Sequence, residues 1–383
     1  MTGSWARTRA RERIAAIAAE PLDAMHLRRQ VLEVLREVID YDAYVWLLTD
    51  PVTMVGAAPL AAVPCLPELP ALIKAKYATR VNRWTVLQGQ DSPAARLHDV
   101  VGGDLARSLV WREVMSRYRI GDVASAVFAD QFGCWGFLDL WRDDARRPFA
   151  RSDAEFIEGV TGQLTMALRR CQARTFTEPS YPRQPGIGPV VLTLDDDLRI
   201  TSRTAASQAW LDLLLPPRPD ERAVPASVYN VAAQLLAAEA GVDGHPAASR
   251  VHLAGGLWLT LRAARLAADE PAPGARPARA NPGAATIVVT IEEISAADRL
   301  DLFARAFGLT SRENELLSLL ATGSDTRAMA RQMSLSEHTV QDHVKSIFAK
   351  TGARDRVTVL SRALGTRPEA KDEPRTNPRP AGG

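Results

Sequence analysis

The residues best suited to chemistry in this 383-residue chain stand close together near its C-terminus: His338, Thr339, Gln341, Asp342, Lys345 and Lys350, with Arg331 just upstream. Their types suit the reading of base edges. A glutamine amide can pair bidentately with adenine, an aspartate can accept from a cytosine amine, and a lysine can reach guanine or a backbone phosphate. Nothing comparable points to catalysis, because the chain lacks a G-x-x-x-x-G-K-[ST] phosphate loop, a G-x-S-x-G nucleophile elbow and an H-E-x-x-H zinc motif. A non-enzyme without a cofactor is the expectation. Cys65, Cys134 and Cys171 are odd in number and form no C-x-x-C pair, so neither disulfides nor zinc are expected. His98 and Cys65, as haem or metal ligands, give way to a surface histidine and a buried free thiol; His245 and His252 lack a third ligand nearby, and the expectation is no metal site.

Three helices must hold the polar residues in place. Thr310 and Glu313 make a T-x-x-E capping box, so the spacing predicts a helix from Ser311, with Leu316, Leu317 and Leu320 on one face and Gly323 as a left-handed stop. Asp325 can cap a short second helix through Met333. Ser336 can cap a third from Glu337, with Leu335 and Val340 as a hydrophobic staple. Within that third helix Val340, Val344, Ile347 and Phe348 follow i, i+4, i+7, i+8 and must face a core. His338, Gln341, Asp342, Lys345 and Ala349 fall on the opposite side, a slim polar face near the helix N-terminus. A short helix, a tight turn and a second helix presenting its first residues is a geometry that docks in a major groove. Periodicity alone fits a solvated helix on any three-helix bundle as well.

The stretch also carries a pattern, L-T-x-R-E-x-E-L-L, A-x-G, S-E-x-T-V-x-x-H-V-x-x-I-x-x-K, at Leu309, Thr310, Arg312, Glu313, Glu315, Leu316, Leu317, Ala321, Gly323, Ser336, Glu337, Thr339, Val340, His343, Val344, Ile347 and Lys350. In this it resembles the LuxR/GerE-type helix-turn-helix of bacterial transcription regulators. The resemblance implies an all-α, four-helix domain at 295–365 whose recognition helix, 337–350, enters the major groove of double-stranded DNA. Thr339, Gln341, Asp342 and Lys345 would face the groove. A fourth helix near 354–363 would pair two protomers through Val357, Leu360 and Leu364, giving a homodimer, and RNA polymerase is a further expected partner. Two departures stand out. Gln341 occupies the place of the lysine usual after T-V, which puts the family's average operator in doubt, and Ala328 replaces the usual glutamate of the second helix, which weakens a cap.

The whole chain carries a net charge of only +2, so it is no general polyanion binder. Within 303–363 nine Arg/Lys stand against six acids, a difference of +3, and that predicts weak non-specific DNA affinity for a monomer. No run of 18 apolar residues exists and the N-terminus lacks an apolar signal core, so a cytoplasmic protein without membrane contact is expected.

In chain order, 4–20 reads as a basic, alanine-rich helix with Arg7, Arg9, Arg11 and Arg13, a solvated lead-in rather than a DNA or membrane contact. Residues 22–38 form an amphipathic helix and 43–49 a buried strand. Helices at 68–79 and 104–118, strands at 122–129 and 133–141, and a long helix at 152–175 with Leu164 and Leu168 free for pairing complete an α+β module. A proline-rich linker spans 174–189. Strands at 190–194 and 198–201, helices at 205–214 and 224–240, and strands at 250–253, 257–266 and 286–291 follow, with a disordered loop at 267–285 and a connecting helix at 294–307. A phosphoacceptor receiver reading of Asp195, Asp196 and Asp197 fails for want of a helix after the first strand. From 366 the chain reads as disordered.

The element order of 22–173, with the phrase GCWGFLDLWR, is similar to GAF domains, and that of 190–294 to PAS domains. The expected architecture is therefore multidomain: an N-terminal helix at 1–21, two α+β sensory domains, the all-α DNA-binding domain and a tail at 366–383. A small-molecule effector would be met by Trp46, Trp84, Trp111, Phe137 and Trp141, although core packing accounts for those aromatics equally well. The alternative class is a signalling or phosphorelay protein whose C-terminal bundle binds protein.

Overall fold

Helix α1 (Thr2–Ala19) is not a solvated lead-in. Its Ala10, Ile14 and Ala18 are buried, and its arginines are spent on neighbours: Arg7 pairs with Asp153 at 2.6 Å, Arg13 with Glu37 at 2.5 Å, and Arg11 lies over the Phe156 ring. A run of alanines lets the backbone approach closely, which sequence periodicity weighs too lightly. Helix α2 (Ala24–Val38), capped by Asp23 on the amides of Met25 and His26, buries Leu27, Val31, Leu32 and Leu35. The computed structural model describes residues 2–178, 190–208, 211, 226–253, 257–266 and 286–366.

With α1 packed against it, α2 lies over one face of a five-stranded antiparallel sheet, β1 (Ala43–Thr49), β2 (Gly56–Ala62), β3 (Ala94–Arg96), β4 (Ile120–Asp130) and β5 (Gly133–Asp143), in the order β2-β1-β5-β4-β3. Strand alternation sorts the side chains. Trp46, Ala124, Ala126, Phe128, Leu138 and Leu140 turn toward α1, α2 and the long helix α4 (Arg151–Thr175), whereas Leu47, Val127, Phe137 and Trp141 turn away. Helix α3 (Leu69–Ala78) lies on that second side. Gly136 is required where β5 runs beside β1, since a Cβ there would come within 2.5 Å of the Leu47 carbonyl oxygen.

Three expectations need correction. Strand β2 is absent from the sequence reading because GAAPLAA holds no β-branched residue; it survives at the sheet edge, where Pro59 opposite Leu47 is tolerated. Residues 104–118 are not one helix but three short turns, Leu105–Arg107, Leu109–Glu113 and Met115–Tyr118, because Ser108 is extended and caps the second of them. Leu164 and Leu168, expected free for pairing, are 1% and 3% exposed against the first sheet's core.

A second antiparallel sheet follows: β6 (Val190–Leu194), β7 (Ile200–Arg203), helix α5 (Ala226–Glu239), then β8 (Ala248–Leu253), β9 (Leu257–Arg265) and β10 (Ile287–Glu293), ordered β7-β6-β10-β9-β8. Counted from its own first strand, each sheet has the same order. The second strand starts two residues later than expected, because Leu198 is left-handed at φ 60° and Asp195 accepts from the amides of Asp197 and Arg199 to close the turn. Those acids therefore serve a hairpin. The helix expected at 205–214, the loop at 267–285, most of the linker and the tail from 367 lie wholly or largely outside the described residues.

Helix α6 (Ala296–Ala306), capped by Ser295, meets both sheets. Arg250 of β8 is the keystone: it holds Asp50 of the first sheet at 2.6 and 2.8 Å and Asp301 of α6 at 3.1 Å. Burial would raise the Asp50 carboxyl, but Arg250 outweighs it and holds the group below the ordinary range. Asp301 also pairs with Arg305, whose other arm donates to the Phe132 carbonyl in the β4–β5 turn. Beside this network Phe176, just past α4, stacks on Trp258 of β9 and meets Phe303 of α6 edge-on.

Candidate DNA-binding surface

Four further helices end the described chain: α7 (Ser311–Ala321), α8 (Thr326–Met333), α9 (Glu337–Thr351) and α10 (Arg356–Leu364). The first three start where the capping residues require. The Thr310 hydroxyl accepts from the Glu313 amide while Glu313 Oε2 accepts from the Thr310 amide at 2.6 Å, closing the capping box. Asp325 accepts from the Ala328 amide at 2.7 Å, so the second helix is capped from its N-terminal side even with alanine at 328. Ser334 at φ 55° turns the chain between α8 and α9, and Ser336 accepts from the Thr339 amide at 3.1 Å. Gly323 at φ 80° follows α7 as the sequence predicts.

The two faces of α9 differ as its periodicity requires. Val340, Val344 and Ile347 are buried and Phe348 packs partly against the same core. On the other side His338, Asp342 and Lys345 have side chains 79%, 54% and 72% exposed, and Gln341 and Ala349 are exposed with them. Thr339 is half-buried and its hydroxyl is 2.9 Å from that of Ser336, so it shares in the cap. Asp342 lies between Lys345 Nζ at 3.2 Å and His338 Nε2 at 3.5 Å; the Lys345 hydrogen bond holds its carboxyl below the usual range. The lysine thus has an internal partner that it must exchange when an external acceptor arrives.

Lys350 stands elsewhere. Its ammonium donates to Glu313 Oε2 at 2.6 Å, and Ser346 donates to the other oxygen, Oε1, at the same distance. Glu313 is 3% exposed; burial would raise its carboxyl, but Lys350, Ser346 and Thr310 together hold it down at about 2. Lys350 therefore also ties α9 to the capping box of α7. The sequence signal for this tie is the acid at 313, whose second role lies beyond its local cap. Arg331 is exposed, and so are Arg327 and Arg354, which the sequence reading did not single out; none of the three has an ion pair among the described residues. On α10, Val357 is 62% exposed, whereas Leu360 and Leu364 are half-buried, Leu360 packing against the core.

The family model that describes "Bacterial regulatory proteins, luxR family" matches residues 308–363. Residues 308–363 form a LuxR-type helix-turn-helix domain. Curated relatives match the same kind of segment. The transcriptional regulatory protein DesR of Bacillus subtilis is 33% identical over 63 residues, 16% of this chain and 32% of that protein. The monoamine regulon transcriptional regulator of Klebsiella aerogenes is 37% identical over 54 residues, 14% of this chain and 24% of that one. The probable HTH-type transcriptional regulator GfsR of Streptomyces halstedii is 37% identical over 60 residues, 16% and 25% of the two chains. The chain thus spans a third or less of the length of these relatives. Among solved structures, Escherichia coli SdiA covers 96% of this chain and 99% of its own at 13% identity, with a TM-score of 0.32. SdiA in complex with octanoyl-rac-glycerol gives 14% identity and a TM-score of 0.27, covering 95% of this chain and 94% of its own.

Of the five aromatics expected to line a ligand pocket, Phe137 and Trp141 border a cavity on the second side of the first sheet. Trp46 does not; as the neighbour of Val45 and Leu47 on β1 it points to the opposite face and stacks on Phe128. Trp84 stacks on Phe137 and donates to the Met54 carbonyl, Trp111 donates to the Ile120 carbonyl, and neither borders that cavity. The three cysteines are free and buried, each thiol pushed up to about 11 by burial. No cluster of three or more candidate metal ligands occurs among the described residues.

Proposed function

We propose that this chain is a sequence-specific, DNA-binding transcription regulator in which α9 reads the major groove through Gln341, Asp342 and Lys345, with Thr339 and His338 at the helix start and Arg331 on the backbone. The observation that carries the reading is the division of α9: an apolar face locked into the core and a polar face left exposed at the capped N-terminal end. The helix N-terminus adds amide dipoles that favour phosphate contact. The protein acts without catalysis or a cofactor of its own.

The modules at 22–173 and 190–294 are read as GAF-like and PAS-like sensors, with 295–365 as the DNA-binding domain. The shared strand order of the two sheets and the apolar cavity on the first support a sensory role for them. A net charge of +3 over 303–363 gives too few phosphate contacts for tight binding by one copy. The regulator is accordingly a homodimer on double-stranded DNA, paired through α10 with Val357, Leu360 and Leu364, and RNA polymerase is its onward partner. No helix among the described residues is long and apolar enough to cross a membrane, and the proposed compartment is the cytoplasm.

Selection of fragments bound by the full chain from genomic DNA tests the reading. Enrichment of one site, with two similar half-sites about one helical turn apart, is the expected outcome. Recovery of fragments without a common sequence would remove it.

A further inference from the structure

The side of the first sheet that faces away from α1 and α2 holds a cavity of about 60 Å³, walled chiefly by Val45, Leu47, Leu72, Ile73, Phe137 and Trp141. Helix α5, which belongs to the second sheet, borders it with Ala226 and Asn230. The cavity is therefore built from both modules. Its walls are apolar except at three places, and those places set what can bind.

Asn230 is 1% exposed, and its Nδ2 donates to the Gly56 carbonyl at 2.9 Å, which fixes the orientation of the amide. Its Oδ1 then meets no donor. A buried acceptor without a donor is costly, and a ligand that brings an N–H or O–H recovers that cost. Lys76 Nζ holds Asp139 Oδ2 at 2.6 Å, and the other oxygen, Oδ1, accepts from the Ser125 hydroxyl at 2.7 Å. The charges on the wall thus cancel within the protein, and a charged ligand would enter apolar surroundings without a counterion. The third polar group, Tyr77, already accepts from the Gly56 amide.

One water needs about 10 to 15 Å³ of such space, so the cavity admits a polar head and the first carbons of a longer body. Pro59 and Leu66 border the cavity and are themselves exposed, Leu66 by 51%, so an apolar body can continue along them toward solvent. From this arrangement we propose that the cavity binds a small neutral amphiphile, an apolar chain or ring bearing one hydroxyl or amide donor, with the donor on Asn230 Oδ1. The proposal rests on the sensory reading of the two upstream modules only for its effect on DNA binding. Because Asn230 reaches the first sheet from α5, an occupied site tightens the packing of α5 on α3 and β2.

Calorimetric titration of the full chain with two isomers, hexan-1-ol and 1-methoxypentane, tests this directly, since they share composition and differ in the donor. Hexan-1-ol binds about 2- to 10-fold more tightly, the range of one neutral hydrogen bond. Asn230→Leu erases the preference, and Ala61→Phe, which fills the cavity from the half-buried edge strand, abolishes binding of both. Equal affinities, no binding of either isomer to the wild type, or a preference kept in Asn230→Leu each overturn the proposal. If circular dichroism finds Asn230→Leu unfolded, Ala61→Phe decides, and hexan-1-ol binding retained by that variant overturns it. Binding to the selected DNA site is then measured with and without hexan-1-ol. A changed affinity supports both site and sensory reading, whereas an unchanged one leaves the site standing and removes the sensory reading.

Discussion

Glu313 shows how much one carboxylate does in this domain. It completes the cap of α7, receives Ser346 and Lys350 of α9, and is held at about 2 although buried. Its folded-state value lies below the ordinary 4.5, so its contribution to stability is fully present above about pH 4.5 and is lost as the pH falls toward 2. Acid titration of the full chain, with hydrogen exchange of the α7 and α9 amides as readout, is expected to show them opening over that window. In Glu313→Gln the window disappears. Lys350→Met is expected to destabilise the same amides by about 1 to 3 kcal/mol, as loss of a buried charge-assisted bond does, while Lys345→Ala leaves their protection unchanged. Lys345 and Lys350 are five residues apart on α9, and only the second reaches another helix.

At the scale of elements, the C-terminal helices were legible because their signals are local. Thr310, Asp325 and Ser336 cap within three residues, and the starts of α7, α8 and α9 follow. Replacing Ser336 by Ala is expected to cost about 1 kcal/mol and to fray the first turn of α9, which carries His338 and Thr339, an outcome that thermal melting and amide exchange both read. The elements that escaped the sequence lack such signals. Strand β2 has neither β-branched residues nor alternation and exists because β1 offers it an edge. The turns at 105–118 contain enough apolar residues for a helix, and Ser108 breaks it in a way only the cap geometry reveals. Two of the five aromatics border the cavity, and composition could not pick them out: it marks Trp46 and Phe137 alike, but alternation along adjacent strands sends them to opposite faces.

For the whole molecule the decisive residue is Arg250, which joins both sheets and α6 through Asp50 and Asp301. Arg250→Met strands the fully buried Asp50 without its cation, and the expected cost is about 3 to 5 kcal/mol. The expected signature is accelerated proteolysis where α6 meets the sheets, with the amides of α7 to α9 still protected. A uniform loss of protection across the chain would mean instead that the modules do not open separately. Pairing of two copies is a claim at the same scale. Leu360→Glu on α10 is expected to lose tight DNA binding while keeping its helical content by circular dichroism, and an unchanged affinity in that folded variant would remove α10 from the dimer contact.

The central claim is that the exposed face of α9 reads base sequence. Its most direct test is the affinity of the wild-type chain and of Gln341→Ala for the selected site, each measured against unrelated DNA at one salt concentration. Gln341 is exposed and outside the core, so its removal is expected to lower affinity for the selected site by about 5- to 150-fold, equivalent to 1 to 3 kcal/mol, and to leave affinity for unrelated DNA unchanged. Equal binding of both proteins to the selected site would contradict the account.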